Sequence, residues 1–225
     1  MPRRVPTGHG GGVSREVTVQ RDGVRLAARL LTPQGSGAFP CVLFVHGLGS
    51  DSDSPRNVVI AGHLVDHGIA ALLFDLSGHG QSDPDPSGLA GSAEDVIAAF
   101  DRARALPEID AQRVGIAGSS LGGVLALEAL AGGRIAPAAM VLRAPPIMAG
   151  ELRSVHVPTL VIIGSADPLL WGVRAAAEGV PMVKLEVIPG AGHLFEETGA
   201  LQRASEATID WFARHLHPAG ALAGR

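Results

Sequence analysis

Short apolar runs alternate with helical segments along most of this sequence, and that alternation restricts the possible folds more than any other feature. The runs with the character of buried strands are CVLFVHG, IAALLFD, RVGIAG, AAMVLRAP, VPTLVIIG and MVKLEVIPG. Helical signals stand between or after several of them, at residues 55–67, 92–106, 170–178 and 198–216 and in the segment LGGVLALEALAGG. Repeated strand–helix units predict a mostly parallel sheet with helices on both of its faces.

Two further segments near the start, REVTVQ and VRLAARLLTP, alternate in character and meet at Asp22-Gly23. An Asp-Gly pair between strands is typical of a tight hairpin turn, so these segments predict an antiparallel pair at one edge of an eight-stranded sheet. A chain of 225 residues suits one α/β domain. We expect that domain over residues 15–217, with loose tails at residues 1–14 and 218–225.

Charge and composition exclude several classes of partner. The net charge of −4, with no basic run, argues against nucleic acid. No apolar run is long enough to span a membrane, and the arginines near the start lack the apolar stretch of a secretory signal. Cys41 is the only cysteine, so an internal disulfide and a cysteine-rich metal cluster are both impossible. We expect a cytoplasmic protein, and the sequence leaves its oligomeric state open.

The stretch GIAGSSLGG, at a predicted strand–helix junction, holds two adjacent serines. Ligands of parallel α/β sheets bind at the carboxyl ends of the strands, where this stretch lies. It matches the nucleophile pattern G-x-S-x-G when centred on Ser120, with Gly118 and Gly122 at the positions where only small residues fit. Centring on Ser119 would place Leu121 at one of these crowded positions. Ser120 is therefore the candidate nucleophile.

A serine hydroxyl needs a base to take its proton and an acid to orient that base. His193 follows the last predicted strand, and Asp167 follows the strand before it. The order Ser120, Asp167, His193 is that of α/β catalytic triads, with each residue after a separate strand. Glu196 and Glu197 are rival acids, but they would have to fold back to reach His193.

Two backbone N–H groups are candidates for stabilising an oxyanion. One belongs to Leu121, which follows Ser120 at the start of a predicted helix. The other belongs to Leu48, in the loop His46-Gly47-Leu48-Gly49 after the strand CVLFV.

The motifs VLFVHGLGS, FDLSGHGQSD, GIAGSSLGG, LVIIGSADPLL and IPGAGHLFEE resemble the successive signatures of the α/β-hydrolase fold. The compact size and the final motif look most like the dienelactone-hydrolase-like group of small esterases. Dienelactone hydrolases proper use a cysteine nucleophile, so the serine here means that their lactone substrate is not implied. The resemblance implies a triad of Ser120, Asp167 and His193, oxyanion donors at Leu48 and Leu121, structural roles for His46 and His79, and no cofactor or metal.

Many members of this fold carry a helical lid between the strands AAMVLRAP and VPTLVIIG, but only PIMAGELRSVH separates them here. That segment is too short for packed helices, so we expect no lid and an open site. Beside Leu48 and Leu121, its expected apolar walls are Ile147, Met148, Leu169, Trp171, Leu194 and Phe195.

The sequence therefore predicts a serine hydrolase that cleaves short to medium acyl or aryl carboxylic esters, which are small molecules, through an acyl-enzyme. A peptidase or thioesterase with the same triad is the nearest alternative. A non-catalytic binding module on the same fold is the alternative from another class.

Overall fold

The computed structural model describes residues 3–4, 12–88 and 90–217, and within them one nine-stranded sheet forms the centre of the fold. The strands are β1 (Arg3–Arg4), β2 (Val13–Arg21), β3 (Val24–Thr32), β4 (Phe39–Val45), β5 (Ala70–Phe74), β6 (Ile109–Ser119), β7 (Met140–Arg143), β8 (Thr159–Gly164) and β9 (Val183–Ile188). Their order across the sheet is β1-β2-β3-β5-β4-β6-β7-β8-β9.

Eight of these strands are the predicted ones, and the ninth is the two-residue β1, which pairs antiparallel with the edge of β2. Strands β4 to β9 run parallel, and β3 joins them antiparallel through β5. The prediction of a mostly parallel sheet with an N-terminal hairpin is confirmed. Most of the two expected tails, residues 1–14 and 218–225, lies outside the described residues.

The hairpin between β2 and β3 turns at Asp22 and Gly23, with Arg21 paired to Val24. Both turn residues have positive φ, 47° for Asp22 and 85° for Gly23. A two-residue turn of this kind matches the right-handed twist of its strands, and it favours aspartate followed by glycine. The local sequence thus fixes the register of the whole hairpin.

Within the described residues, five helices cover the two faces of the sheet. They are α1 (Pro55–Asp66), α2 (Ala93–Arg104), α3 (Leu121–Ala131), α4 (Leu170–Ala177) and α5 (Ala200–Leu216). Side chains of α2, α3 and α4 share one hydrophobic core with the sheet, and those of α1 and α5 share the other. None of these helices combines the length and apolarity that a membrane crossing requires.

Ser92 is the N-cap of helix α2. The Asp95 N–H donates to Ser92 Oγ at 3.3 Å, and the Ser92 N–H donates to Asp95 Oδ2 at 3.1 Å. This reciprocal capping box satisfies two N–H groups that the helix itself cannot. Asp95 is buried, and its carboxylate also accepts from Ser77 and pairs with Arg21 Nε at 2.7 Å. The cap therefore also ties α2 to the loop after β5 and to the hairpin.

The segment between β7 and β8, residues 144–158, is fully described and contains turns but no helix. The carboxyl end of the sheet therefore lacks a helical lid at this position, as the sequence predicts.

Candidate active site

Ser120 stands alone between β6, which ends at Ser119, and α3, which begins at Leu121. Its φ of 51° and ψ of −120° are unusual for a residue with a side chain, so the backbone here is strained. A hydrogen bond from the Ser120 N–H to Arg143 O, at 2.9 Å, holds this conformation against β7. The turn between strand and helix is thus sharp, as the G-x-S-x-G pattern predicts.

The glycines on either side of Ser120 have no room for a side chain. A Cβ on Gly118 would lie 2.6 Å from Gly123 Cα and 2.8 Å from Gly122 O. A Cβ on Gly122 would lie 2.3 Å from Val45 O. Any larger residue at these positions would force the backbone apart. The crowding falls two residues before and two residues after Ser120, which agrees with the register inferred from the sequence.

The structure brings Ser120, His193 and Asp167 into one hydrogen-bonded chain. His193 Nε2 lies 3.3 Å from Ser120 Oγ, and His193 Nδ1 lies 2.8 Å from Asp167 Oδ2. A carboxylate only accepts, so Nδ1 carries the proton and Nε2 is left as an acceptor facing the serine hydroxyl. The other Asp167 oxygen, Oδ1, accepts the Leu169 N–H at 2.9 Å. Both oxygens of this buried carboxylate are therefore engaged and its orientation is fixed.

The rival acids lie elsewhere. The carboxylate of Glu196 is 4.0 Å from the Arg56 guanidinium. Glu197 places Oε1 against Gly192, 3.0 Å from where a Cβ would stand. The structure thus brings Asp167, and not a residue of the histidine loop, to His193 Nδ1.

The loop after β4 runs directly beside the serine. A Cβ on Gly47 would lie 3.3 Å from Ser120 Cβ and 3.2 Å from Ser119 O, so a larger residue here would have to push its neighbours by a few tenths of an ångström. Leu48 follows in the same loop. Leu121 is the first residue of α3, where N–H groups have no partner within the helix. Both expected oxyanion donors are therefore on segments that adjoin Ser120.

Comparison with known proteins agrees with this architecture. Residues 38–151, just over half of the chain, match the family model described as "Serine aminopeptidase, S33", and this range includes Ser120. Dienelactone hydrolase from Anabaena variabilis superimposes with a TM-score of 0.78 and 32% identity, covering 92% of this chain and 99% of that one. The chain belongs to the α/β hydrolases. The predicted membership of this superfamily is confirmed.

Two curated relatives extend the comparison. A Mycobacterium tuberculosis protein proposed to be a phosphoribosyl transferase is 34% identical over 212 residues, which are 89% of this α/β hydrolase and 46% of that protein. The chain thus spans about half the length of the curated relatives it matches first. A Pongo abelii protein proposed to be a protein-lysine deacylase is 27% identical over 191 residues, 80% of this chain and 86% of that protein.

His46 holds the loop beside Ser120 in place in this hydrolase. Its Nε2 accepts the Leu76 N–H at 3.0 Å, so Nδ1 carries the proton and donates to Gly47 O at 2.8 Å. The ring is buried and meets the edge of His79, with 5.0 Å between ring centroids. Burial lowers the pKa of the His46 imidazole below its ordinary value. The structure therefore holds His46 neutral, as a link between the loops after β4 and β5.

The buried, neutral His46 makes the free energy of unfolding depend on pH. Because the folded-state pKa of His46 is depressed, unfolded chains bind its proton first as the pH falls below about 6.5. His46 should then reduce the free energy of unfolding by up to about 1.4 kcal/mol per pH unit until its folded pKa is passed. Urea unfolding at about pH 7.5 and about pH 5.5 measures the change, and His46→Gln, which lacks the titration, should lose less stability. An equal loss in both proteins would contradict this role.

The apolar residues expected around the site divide into three groups by their exposure. Leu48, Met148, Trp171 and Leu194 are exposed by 73, 66, 76 and 46%, and they lie in loops or helix starts after strands. Leu121 and Leu169 are partly buried. Ile147 and Phe195 are instead only 1 and 4% exposed, in the cores on opposite faces of the sheet, although Phe195 also borders a cavity of about 400 Å³ with Leu194.

Arg143 is a residue that the sequence analysis missed. It ends β7, accepts the Ser120 N–H at its backbone oxygen, and is buried with its guanidinium hydrogen-bonded to Asn57 Oδ1 of α1. Burial, together with the nearby Arg56, lowers the pKa of Arg143 to about 10. The sequence did mark Arg143 as unusual, because an arginine rarely ends an apolar run such as MVLR.

Asp75 is a second buried residue without an assigned role in the sequence analysis. Its Oδ1 accepts the Ser52 N–H at 2.7 Å, and its Oδ2 accepts the Gln81 N–H at 2.8 Å. A Cβ on Gly80 would lie 2.2 Å from this carboxylate, so the loop closes tightly around it. Asp75 thereby joins the loops after β4 and β5, alongside His46.

Proposed function

We propose that this α/β hydrolase cleaves carboxylic esters through an acyl-enzyme formed on Ser120. The observation that supports this proposal is the hydrogen-bonded chain from Ser120 Oγ through His193 to Asp167, with steps of 3.3 and 2.8 Å. A distance of 3.3 Å in the absence of substrate is compatible with proton transfer, since such bonds tighten when substrate binds.

In the acylation step, Ser120 Oγ attacks the ester carbonyl carbon while His193 Nε2 takes the hydroxyl proton. The carbonyl oxygen becomes an oxyanion, to which the N–H groups of Leu48 and Leu121 donate. Asp167 stabilises the imidazolium that has formed without taking its proton. The tetrahedral intermediate then expels the alcohol, which receives the proton from His193 Nε2, and the acyl group remains on Ser120.

Deacylation repeats these steps with water. His193 Nε2 takes a proton from water as the water oxygen attacks the acyl carbon, and the same two N–H groups stabilise the second oxyanion. When the carbon–Oγ bond breaks, His193 returns the proton to Ser120, and a carboxylic acid leaves. Every group in this scheme belongs to the chain, the substrate or water.

The exposed side chains of Leu48, Met148, Trp171 and Leu194 suggest the kind of substrate. Met148 contacts the first turn of α4, since its Sδ lies 3.0 Å from where a Cβ on Gly172 would stand. Met148 therefore adds apolar surface at the start of α4, just after the loop that carries Asp167 and Leu169, and such a surface suits an aryl or short acyl group. We propose small esters of this kind as the substrates, in the cytoplasm.

The open rim leads to a prediction about chain length. With no helical lid to enclose a long acyl chain, each methylene left in water forgoes about 0.8 kcal/mol of burial. In a series of nitrophenyl esters of increasing acyl length, kcat/KM should stop rising at short to medium chains. The rate with a short-chain ester should also show no jump at the solubility limit. Preference for a long-chain triglyceride emulsion would mean that residues 144–158 act as a lid.

Amide cleavage is a second candidate, because the matching family is described as serine aminopeptidases and one relative is proposed to be a protein-lysine deacylase. The same nucleophile and base can attack amides and thioesters. Matched ester, thioester and anilide substrates with one acyl group would separate the three. The proposal requires the ester to have the highest kcat/KM relative to its uncatalysed rate.

A fluorophosphonate label tests the proposal against a non-catalytic binding module. The label reacts only with an activated serine, so stoichiometric labelling of Ser120 is expected. A folded protein that neither takes up the label nor hydrolyses any ester of the panel would favour the binding module.

A further inference from the structure

Strand β9 is the last strand of the sheet among the described residues, and beyond Val183, whose N–H donates to Val180 O at 3.0 Å, its outer edge has no strand partner. The strand reads VKLEVI, and only its final residue, Ile188, is buried. Its two charges neutralise each other, since Lys184 Nζ lies 3.6 Å from Glu186 Oε2. Proteins often protect such an edge with a very short strand, charged side chains, proline or a bulge. An edge strand of six residues with balanced charge is suited to pair with another strand.

The pairing with β8 decides which backbone groups of β9 face outward. The Thr159 N–H donates to Met182 O at 2.9 Å, and Thr159 is opposite Val183 in the register. A strand in a parallel pair uses alternate residues for its bonds to one neighbour, so the even-numbered residues of β9 serve β8. The N–H and C=O groups of Leu185 and Val187 therefore point away from β8.

We propose that β9 pairs antiparallel with β9 of a second copy of this chain, about a two-fold axis at Leu185. Residues that face each other with outward N–H and C=O groups exchange both hydrogen bonds in an antiparallel pair, and Leu185 meets this condition with its own copy. The register places Leu185 opposite Leu185, Val183 opposite Val187, and Lys184 opposite Glu186 of the second copy.

The charges select this register. With the axis at Leu185, both Lys184–Glu186 pairs across the interface are attractive, and they occupy non-hydrogen-bonded positions, where side chains are closest. An axis at Lys184 or at Glu186 would instead place two like charges directly opposite each other. Only the Leu185 axis gives opposite charges at both positions.

Apolar surface beside the proposed pair of β9 strands also supports a second copy of this chain as the partner. On the α4 side of β9, Leu185 and Val187 line a groove of about 550 Å³ together with Trp171, the most exposed large hydrophobic side chain described. A second β9 would add its own Val183, Leu185 and Val187 along this face, since alternate residues of a strand share a face. The interface thus continues an apolar strip that a single copy leaves in water.

The test is the oligomeric state by sedimentation velocity at micromolar concentration. The unmodified protein should be a dimer. Lys184→Glu and Glu186→Lys each create two repulsive pairs, and each should raise the dissociation constant by about tenfold or more. Glu128→Lys, an equal charge change on the exposed face of α3, should stay dimeric. Circular dichroism checks that all variants are folded.

Mixing the two variants is the decisive measurement. Lys184→Glu carries two acidic residues on β9 and Glu186→Lys carries two basic ones, so the heterodimer of the two should be tighter than the homodimer of either. The ion pair within one chain cannot produce this result, because each variant lacks it. A monomeric unmodified protein, or a mixture that stays monomeric, would overturn the proposal. So would a dimer that both single variants leave unchanged.

Discussion

Replacing Ser120 with alanine should reduce kcat for ester hydrolysis by on the order of a millionfold and abolish fluorophosphonate labelling. Ser120 Oγ is the hydroxyl that bonds to His193 Nε2, so its removal takes away the group that we propose to accept the acyl chain. Binding of substrate should change little, because the proposed oxyanion donors and the proposed apolar rim are untouched.

Ser119→Ala is the matched control, because it removes the same atom one residue away. Ser119 ends β6, and its backbone oxygen packs against Gly47. This variant should keep most of the turnover and the labelling. Peptide mapping of the labelled protein decides between the two serines. A label on Ser119 would show that the sharp turn between β6 and α3 is centred one residue earlier than we infer.

The sharp turn at Ser120 could be located from the sequence because part of its steric constraint is local. Gly122 is crowded by Val45 O, which only the fold brings close, but Gly118 is crowded by backbone atoms of Gly122 and Gly123, so spacing alone identifies that position. The same holds for the turn at Asp22-Gly23 and the cap at Ser92, whose partners are three residues or fewer apart. Buried parallel strands were equally visible, because both faces of each strand are apolar.

The sequence could not show which apolar residues around the site are buried and which are exposed. Ile147 is buried and Met148 is exposed, while Leu194 is exposed and Phe195 is buried. Loops have no periodicity that assigns neighbouring side chains to the core or to solvent. Phe195 has a φ of 56°, a left-handed backbone conformation that accompanies the burial of its side chain. No pattern in the sequence predicts this conformation.

The partner of Arg143 could not be predicted from the sequence for a different reason. Its partner, Asn57, is 86 residues away on α1, so no spacing rule connects the two. A buried guanidinium needs a hydrogen-bond acceptor, but only the fold, which brings Asn57 to the end of β7, shows which one. Contacts between residues so far apart in the sequence can therefore be identified only from the structure.

Asp167→Asn should lower kcat by about ten-thousandfold while leaving the fold and KM nearly unchanged. The Leu169 N–H donates to Oδ1 at 2.9 Å, so in asparagine the oxygen would take that place and the amide NH₂ would face His193. An NH₂ group donates to Nδ1 and moves the imidazole proton to Nε2. His193 would then present a donor to Ser120 Oγ and could not accept its proton. Steady-state kinetics with a short-chain nitrophenyl ester measures the loss.

Glu196→Gln and Glu197→Gln are the matched controls, because each neutralises a carboxylate of the histidine loop with the same change of one atom. Glu196 lies near Arg56 at 4.0 Å, and Glu197 lies beside Gly192, so neither replacement should disturb His193 Nδ1. Both variants should keep kcat within about tenfold of the unmodified protein, because loss of an exposed charge pair is worth little. An active Asp167→Asn variant beside an inactive Glu196→Gln or Glu197→Gln variant would assign the acid to the histidine loop.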